Sequence, residues 1–168
     1  MIPLGPLNGK NMGTTISPWI ITGAALQSFK TTSPPRVKEP VTYLADSGIG
    51  DLNISLQVDL TTPGEGTKSE TRTMCKSNTS YMYWTLAQCV AHQSIGGCGL
   101  NTGDLLATGT VSGPGAEEHG CLMEYMKAGQ TAPRRYLQDG ETVTLSGYCG
   151  NGVGFGECVA TLRAAREL

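Results

Sequence analysis

The stretch "NISLQVDLTTPGEGTKSETRTMCK", residues 53–76, carries the strongest structural signal in the chain. Apolar and polar side chains alternate over residues 53–60, and the apolar set is Ile54, Leu56, Val58 and Leu60. This period of two predicts a strand with one face turned toward a core. The proline and glycines of "TTPGEG" then predict a turn, and "KSETRTMCK" predicts the partner strand. The stretch therefore indicates an antiparallel β-hairpin.

One convincing helix is predicted after this hairpin, in "NTSYMYWTLAQCVAHQSIGG", residues 78–97. Asn78 is the predicted N-cap, and Gly96–Gly97 end the helix. The residues expected on one face at helical spacing are Met82, Leu86, Cys89, Val90 and Gln93.

Residues 103–113, 140–149 and 152–162 are predicted to be further strands, and the proline-rich residues 31–40 an exposed connection. Glycine contributes 23 of 168 residues, which favours strands joined by tight turns. The order is strands, one helix and more strands, without βαβ alternation. We therefore expect a single domain over residues 1–168, mainly β, in which a rolled sheet or sandwich packs against one main helix.

The charge balance excludes some partners. The net charge is −2, only 15% of the residues are charged, and the basic residues are scattered apart from Arg134–Arg135. Nucleic-acid binding needs a basic patch, so we expect no nucleic acid partner. No apolar run approaches the roughly 20 residues of a membrane-spanning helix, and no secretory signal pattern follows Met1.

Six cysteines are present: Cys75, Cys89, Cys98, Cys121, Cys149 and Cys158. A chain of this size can build an apolar core without disulfide bonds, and nothing in the sequence suggests secretion. We predict that the thiols are reduced and mostly buried. No Cys-x-x-Cys pair occurs, so a zinc ribbon is not expected.

The opening stretch "PLGPLNGKNMGTTISPW", residues 3–19, suggests a phosphate-binding loop but fails its spacing. That motif needs four residues between its glycines, then Lys, then Ser or Thr. Here three residues separate Gly5 from Gly9, and Asn11 follows Lys10. Lys10 with Thr14 and Thr15 would instead suit a site for a hard cation and an oxyanion. A surface turn with a solvated lysine is the alternative, which spacing alone favours.

Glu124, in "HGCLMEYM", has apolar neighbours and would suit a carboxylate that orients a histidine base. A strand glutamate that faces water is the alternative, which the residues alone favour. His92 is expected to complement the C-terminal end of the helix, and His119 to lie in an exposed loop. Neither histidine forms a triad pattern. "GVGFG", residues 152–156, lacks the context of a dinucleotide fingerprint.

Carboxylates show no metal-binding pattern of their own. Asp46, Asp51 and Asp59 are scattered, and no acid-x-acid pair occurs among them. The residues alone therefore describe a β-rich domain with an incomplete site.

Several stretches are together similar to one known family. They are residues 3–19, the run from Cys75 to Pro114, "GCLMEY" at 120–125, and "LQDGETVTLSGYC" and "VGFGEC" within 137–158. In this order they resemble the C-terminal part of the fumarylacetoacetase family. The resemblance extends over nearly the whole chain, and the run from Cys75 to Pro114 is long and specific.

The resemblance implies a hydrolase that cleaves a carbon–carbon bond of a β-diketone, giving fumarate and acetoacetate from fumarylacetoacetate in tyrosine and phenylalanine breakdown. It also implies a mixed β-sandwich roll and a cytosolic homodimer. In this family a Mg²⁺ or Ca²⁺ ion holds the substrate oxygens, and a water activated by a His–Glu dyad attacks a carbonyl.

The family's functional residues match five positions of this chain. By resemblance, Lys10 corresponds to the lysine near the metal and oxyanion, and Gly13 and Thr14 to the metal site. Thr110 corresponds to a substrate-binding threonine, and Glu124 to the glutamate of the dyad. The resemblance thus reverses the two solvent-facing alternatives given above for Lys10 and Glu124.

One departure from the family matters. The family's catalytic histidine, its other metal ligands and its substrate-binding Tyr and Arg residues lie before the "PLGP" loop, where this chain starts. Neither His92 nor His119 matches that histidine. We therefore expect the C-terminal portion of a longer enzyme, inactive by itself. The alternative is a non-catalytic binding or scaffold domain on the same fold.

Overall fold

The structure is a computed structural model that describes residues 11, 13–45, 50–64, 66, 68–127 and 136–166. These residues form a mainly β fold with two antiparallel sheets and few helices. The smaller sheet pairs β1 (Lys30–Thr31) with β2 (Asp51–Leu52). The larger sheet contains β3 (Ser55–Pro63), β4 (Ser69–Asn78), β5 (Thr142–Cys149) and β6 (Val153–Thr161). Its spatial order is β4-β3-β5-β6, so β4 and β6 are the edge strands.

The predicted hairpin is confirmed as β3 and β4, with one irregularity that alternation did not indicate. Val58 faces Cys75 but Asp59 faces Thr73, so the register shifts by one residue. Met74 is the extra residue of this β-bulge. As a result Met74 and Cys75 are both buried although they are adjacent.

The apolar residues of β3, together with Ile54 just before it, contribute to two buried clusters. The first cluster contains Leu26, Ile54 and Cys149, with Leu56 packed beside it. The second contains Leu60, Met74 and Tyr125, with Val58 packed beside it. The interior strand β3 therefore supplies apolar side chains to both parts of the core, as its alternation predicts.

The main helix, α1 (Leu86–Ile95), starts later than predicted, and Asn78 is not its N-cap. Thr85 caps it through a reciprocal pair: the Gln88 N–H donates to Thr85 Oγ1 at 3.1 Å, and the Thr85 N–H donates to Gln88 Oε1 at 3.0 Å. Asn78 ends β4 and caps a 3-10 turn, because its Oδ1 accepts from the Ser80 N–H at 2.8 Å. The capping box satisfies two terminal donors at once and so fixes the start of α1 at Leu86.

The sequence predicts that the main helix packs against the sheet, whereas in the structure α1 contacts a 3-10 turn. The end of the helix is as predicted. Gln88 Nε2 donates to the Leu44 carbonyl at 2.6 Å, so α1 packs against the 3-10 turn Thr42–Leu44. The helix ends before Gly96, and Gly97 has a φ of 88°. Glycine adopts this left-handed conformation without steric cost.

Residues 103–113 form no strand, contrary to prediction. A short second helix, α2 (Leu122–Lys127), was not predicted, and it carries Glu124. Among the helices of the described ranges, none is long and apolar enough to cross a membrane. Residues 32–40 form no helix or strand, as predicted, but they are less exposed than expected, because Ser33, Pro34 and Arg36 are half-buried.

The glycines of "GVGFG" serve the last strand. Between Ser146 and Tyr148 the β5–β6 register shifts by one residue. Gly156 lies at this shift with a φ of 71°, and the Trp19 ring lies directly over it. This is a glycine-containing β-bulge, which is a structural role.

All six cysteines are free thiols, as predicted, but they are less buried than expected. Cys75 and Cys149 are buried, Cys98 is exposed, and the other three are partly buried. Burial raises the pKa of the Cys149 thiol above its ordinary value.

Candidate active site

A cavity of about 340 Å³ brings together two of the predicted site residues, Thr110 and Glu124. It lies between the segment that precedes α1 and the chain around residues 108–112. Its lining residues are Tyr81, Met82, Tyr83, Trp84, Cys89, Thr108, Thr110, Val111, Ser112 and Glu124. Hydroxyl groups and one carboxylate thus face aromatic rings, which is the usual composition of a small-molecule site.

Glu124 lies in the first turn of α2 and is half-buried, so it is not the water-facing strand residue of the alternative prediction. Ser112 Oγ donates a hydrogen bond to Glu124 Oε2 at 2.6 Å. The Gly120 N–H donates to the same Ser112 oxygen at 3.2 Å. One carboxylate oxygen is therefore fixed by a neutral hydroxyl, which compensates part of the cost of burying a charge.

The loop of residues 113–118 is closed by Glu118. The Gly113 N–H donates to the Glu118 carbonyl at 3.0 Å, and the Gly115 N–H donates to Glu118 Oε2 at 2.6 Å. Tyr81 OH donates to Glu118 Oε1 at 2.8 Å. This hydrogen bond, and then the carboxylate charge, raise the pKa of the Tyr81 phenol above its ordinary value. The loop and one wall of the cavity are thereby tied together.

The aromatic wall is held by Arg36. The Tyr83 and Trp84 rings meet edge to face, with their centroids 4.9 Å apart. The Arg36 guanidinium lies 5.2 Å from the Trp84 centroid and 5.5 Å from that of Tyr83, within the range of cation–π attraction. Arg36 Nη2 also donates to Gln88 Oε1 at 3.0 Å, which connects this wall to the start of α1.

The two histidines lie away from this cavity. His92 is in the last turn of α1, as predicted, and its Nδ1 lies 2.9 Å from Tyr43 OH. His119 is half-buried, not exposed as predicted, and lines a separate apolar cavity of about 210 Å³ with Cys75 and Tyr125. Neither histidine is among the described residues that line the Glu124 cavity.

The N-terminal site residues are described only in part. Lys10 lies outside the described residues. Gly13 and Thr14 are exposed and are not among the described lining residues of the Glu124 cavity. The chain that follows them lies on β6, where Ser17 Oγ donates to the Phe155 carbonyl at 3.3 Å.

Sequence reasoning missed Ser112, Glu118 and Tyr81. Ser112 stands two residues after Thr110 in "GTVSGP", but no local spacing connects it to Glu124. Tyr81 and Glu118 are 37 positions apart in sequence, so no periodic pattern could pair them. These contacts depend on the loop geometry, which only the folded structure gives.

Comparisons with known proteins agree with the family resemblance described in the sequence analysis. The family model described as "Fumarylacetoacetate (FAA) hydrolase C-terminal" matches residues 1–163. The chain is 42% identical to a fumarylacetoacetase of Dictyostelium discoideum over 98% of its own length. It is 41% identical to a fumarylacetoacetase of Bos taurus over 98% of its length, and 42% identical to one of Arabidopsis thaliana over 96%.

The matches cover nearly all of this chain but less than half of each relative. The chain spans about 40% of the length of the curated relatives that it matches. The family model, in contrast, covers nearly all of this chain. The chain therefore belongs to the fumarylacetoacetate hydrolase C-terminal family.

Proposed function

We propose that this chain forms the C-terminal part of a hydrolase that cleaves fumarylacetoacetate to fumarate and acetoacetate. The observation that carries the proposal is the half-buried Glu124, hydrogen-bonded by Ser112, in a cavity that Thr110 also lines. Both residues come from stretches that resemble the family's site, and the relatives that the chain matches are named fumarylacetoacetase. Tyrosine and phenylalanine breakdown is the proposed pathway.

In the proposed reaction, water adds to the ketone next to the fumaryl double bond. The carbon–carbon bond then breaks, and the methylene carbon keeps the electron pair. Protonation of that carbon gives acetoacetate, and the hydrated side leaves as fumarate. Water needs a base to attack at neutral pH, and Glu124 is proposed to hold a histidine that accepts the proton. That histidine is expected from outside this chain.

Thr110 and Lys10 are proposed to bind the substrate and its developing charge. Thr110 is exposed and lines the cavity in which Glu124 lies, so its hydroxyl is proposed to contact a substrate oxygen. Lys10 is assigned by resemblance to the oxyanion that forms on the attacked carbonyl. A fixed cation at that place stabilises the transition state more than the ground state.

A divalent cation, Mg²⁺ or Ca²⁺, is proposed only for the longer protein. In the described ranges, no group of three or more His, Cys, Asp or Glu side chains could hold a metal ion. Hard cations need several oxygen ligands, mostly carboxylates. Gly13 and Thr14 can supply only two backbone carbonyls and one hydroxyl, so the described residues do not by themselves fit the ion.

Four further properties belong to the same proposal. They are a single domain over residues 1–168, a β-sandwich roll, a homodimeric assembly and a cytoplasmic location. The two antiparallel sheets are compatible with such a roll. The proposed substrate is a small β-diketone, and we propose neither nucleic acid nor membrane as a partner.

A chimera tests the activity directly. This chain would replace the matching part of the Dictyostelium fumarylacetoacetase, to which it is 42% identical. Loss of fumarylacetoacetate absorbance would be followed with Mg²⁺ and with Ca²⁺. The controls are the intact relative, its remaining part alone, and this chain alone.

Turnover by the chimera but by neither part alone would support the proposal. A folded chimera without turnover would favour the alternative, a binding or scaffold domain on the same fold. Turnover by this chain alone would contradict the assignment of the base to a histidine outside it.

A further inference from the structure

We propose that Ser112 is a positioning residue for Glu124, which holds the carboxylate so that its second oxygen faces the proton-accepting partner. The inference rests on the proposed function, because it assigns Ser112 a part in the same site.

The direction of the hydrogen bonds is fixed by the donors available. The Gly120 N–H can only donate, and it donates to Ser112 Oγ at 3.2 Å. The Ser112 hydroxyl must then use its own hydrogen elsewhere, and Glu124 Oε2 lies 2.6 Å away. An ionised carboxylate can only accept, so the order is Gly120 to Ser112 to Glu124.

The backbone around Ser112 is connected to the rest of the molecule by several contacts. The Gly113 N–H donates to the Glu118 carbonyl, and the Lys76 N–H of β4 donates to the Glu117 carbonyl at 2.9 Å. A Cβ on Gly120 would lie 2.5 Å from the Val111 carbonyl oxygen, so Gly120 packs directly against the chain before Ser112. Both ends of the loop are thus fixed to the molecule.

This arrangement distinguishes the two oxygens of Glu124. Oε2 accepts from Ser112, whereas no residue in the described part of the chain donates to Oε1. A carboxylate that orients a base must present one oxygen in a fixed direction, since small displacements at a reacting centre are costly. Ser112 provides that direction by limiting the rotation of the carboxylate.

The first experiment compares crystal structures of this full chain with and without Ser112→Ala. We expect the Glu124 carboxylate to leave its position in Ser112→Ala and to keep it in Ser112→Thr, which retains a hydroxyl. An unchanged carboxylate in Ser112→Ala would overturn the inference. This result does not depend on turnover, so it separates the inference from the proposed function.

The second experiment is a double-mutant cycle in whichever polypeptide turns over, the chain alone or the chimera. Ser112→Ala should lower kcat roughly 10- to 100-fold with KM nearly unchanged, as expected for a hydrogen bond to a charged group. Ser112→Thr should recover most of the rate. In a Glu124→Gln background, Ser112→Ala should have no further effect.

A merely structural role gives a different pattern. Ser112→Ala would then lower the rate by the same factor in both backgrounds and lower the unfolding temperature with it. That outcome, or a rise in KM with kcat unchanged, would overturn the inference. Failure of Ser112→Ala to fold leaves Ser112→Thr, for which full loss of rate in a folded protein would also overturn it.

Discussion

The four-stranded sheet and the site segment, residues 105–121, keep their shapes by different means. In the sheet, β3 pairs with both β4 and β5 through repeated backbone hydrogen bonds. Many equivalent contacts therefore stabilise its position. The site segment contains neither helix nor strand. It is held by single contacts, such as Ser112 to Glu124 and Glu118 to Gly115.

This difference separates stability from activity. Loss of one contact in the sheet leaves its neighbours in place, and the effect appears mainly in the free energy of unfolding. Loss of one contact in the site segment moves a functional group without an equivalent contact to replace it. We therefore expect changes in the two regions to be told apart by measuring both quantities on each variant.

The largest effect is expected for Glu124→Gln in the active chimera. The amide keeps the shape of the side chain but removes the charge that is proposed to orient and stabilise a protonated histidine. Turnover should fall roughly 10³- to 10⁴-fold, by analogy with loss of the charged member of a catalytic triad. The measurement is kcat, with circular dichroism to show that the fold is kept.

Glu117→Gln is the matched control, because Glu117 is an exposed carboxylate in the neighbouring loop. It removes the same charge from the same region and should leave kcat almost unchanged. Similar losses in the two variants would mean that net charge, and not the position of Glu124, determines the rate.

The sheet is tested by Gly156→Ala, with Gly154→Ala as its control. Gly156 has a φ of 71°, and a Cβ there would lie 2.5 Å from Trp19 Cδ1, whereas a Cβ on Gly154 would meet nothing within 4 Å. Gly156→Ala should destabilise the chain by about 1–2 kcal/mol. Gly154→Ala should be close to neutral. Urea unfolding measures the stability of both variants. Equal stabilities would contradict the requirement for glycine at the β-bulge.

A smaller effect is expected at the start of α1. Thr85→Ala removes the hydroxyl that accepts from the Gln88 N–H and should cost about 1 kcal/mol. Asn78→Ala removes the cap of a single 3-10 turn and an exposed hydrogen bond to Asn53 Oδ1, and it should cost less. Thermal unfolding ranks the two variants, and a larger loss of stability for Asn78→Ala would contradict the assignment of the main helix cap to Thr85.

The smallest effect concerns alkaline pH. Burial, and then the charges of Glu118 and Glu124, raise the pKa of the Cys75 thiol above its ordinary value. The folded state therefore favours the protonated thiol. Its contribution to stability is complete below the thiol pKa of the unfolded chain and is lost as pH rises toward the folded pKa.

Cys75→Ala should weaken this alkaline loss of stability, and Cys98→Ala, at an exposed thiol, should not. Unfolding free energies from neutral to alkaline pH test the pair. An identical pH dependence in both variants would contradict the assignment to Cys75.

The sequence predicted the sheet well because its signals are local. Alternation in residues 53–60 and the turn after them identified β3 and β4, and similar patterns identified β5 and β6. The bulge at Met74 was not predicted, because one inserted residue does not change the local composition by which a strand is identified. Residues 103–113 misled because β-branched residues in a loop resemble a strand until their backbone partners are known.

The candidate site was predicted less completely. Resemblance named Thr110 and Glu124, which line one cavity, whereas residue types and spacing alone favoured a solvent-facing Glu124. The first turn of α2 and the hydroxyl of Ser112 gave Glu124 its actual surroundings. Such contacts join residues that are distant in sequence or that lie in irregular loops, so no periodic pattern in the sequence predicts them.

The two edge strands of the large sheet have a consequence for self-association. Unpaired edges invite strands of other molecules to join and form fibrous aggregates. Here the Lys76 N–H of β4 is taken by the Glu117 carbonyl, and the Phe155 carbonyl of β6 accepts from Ser17. Residues 113–118 and 13–19 therefore each occupy a backbone group of one edge strand, which is one of the ways in which proteins keep an edge from pairing with another molecule.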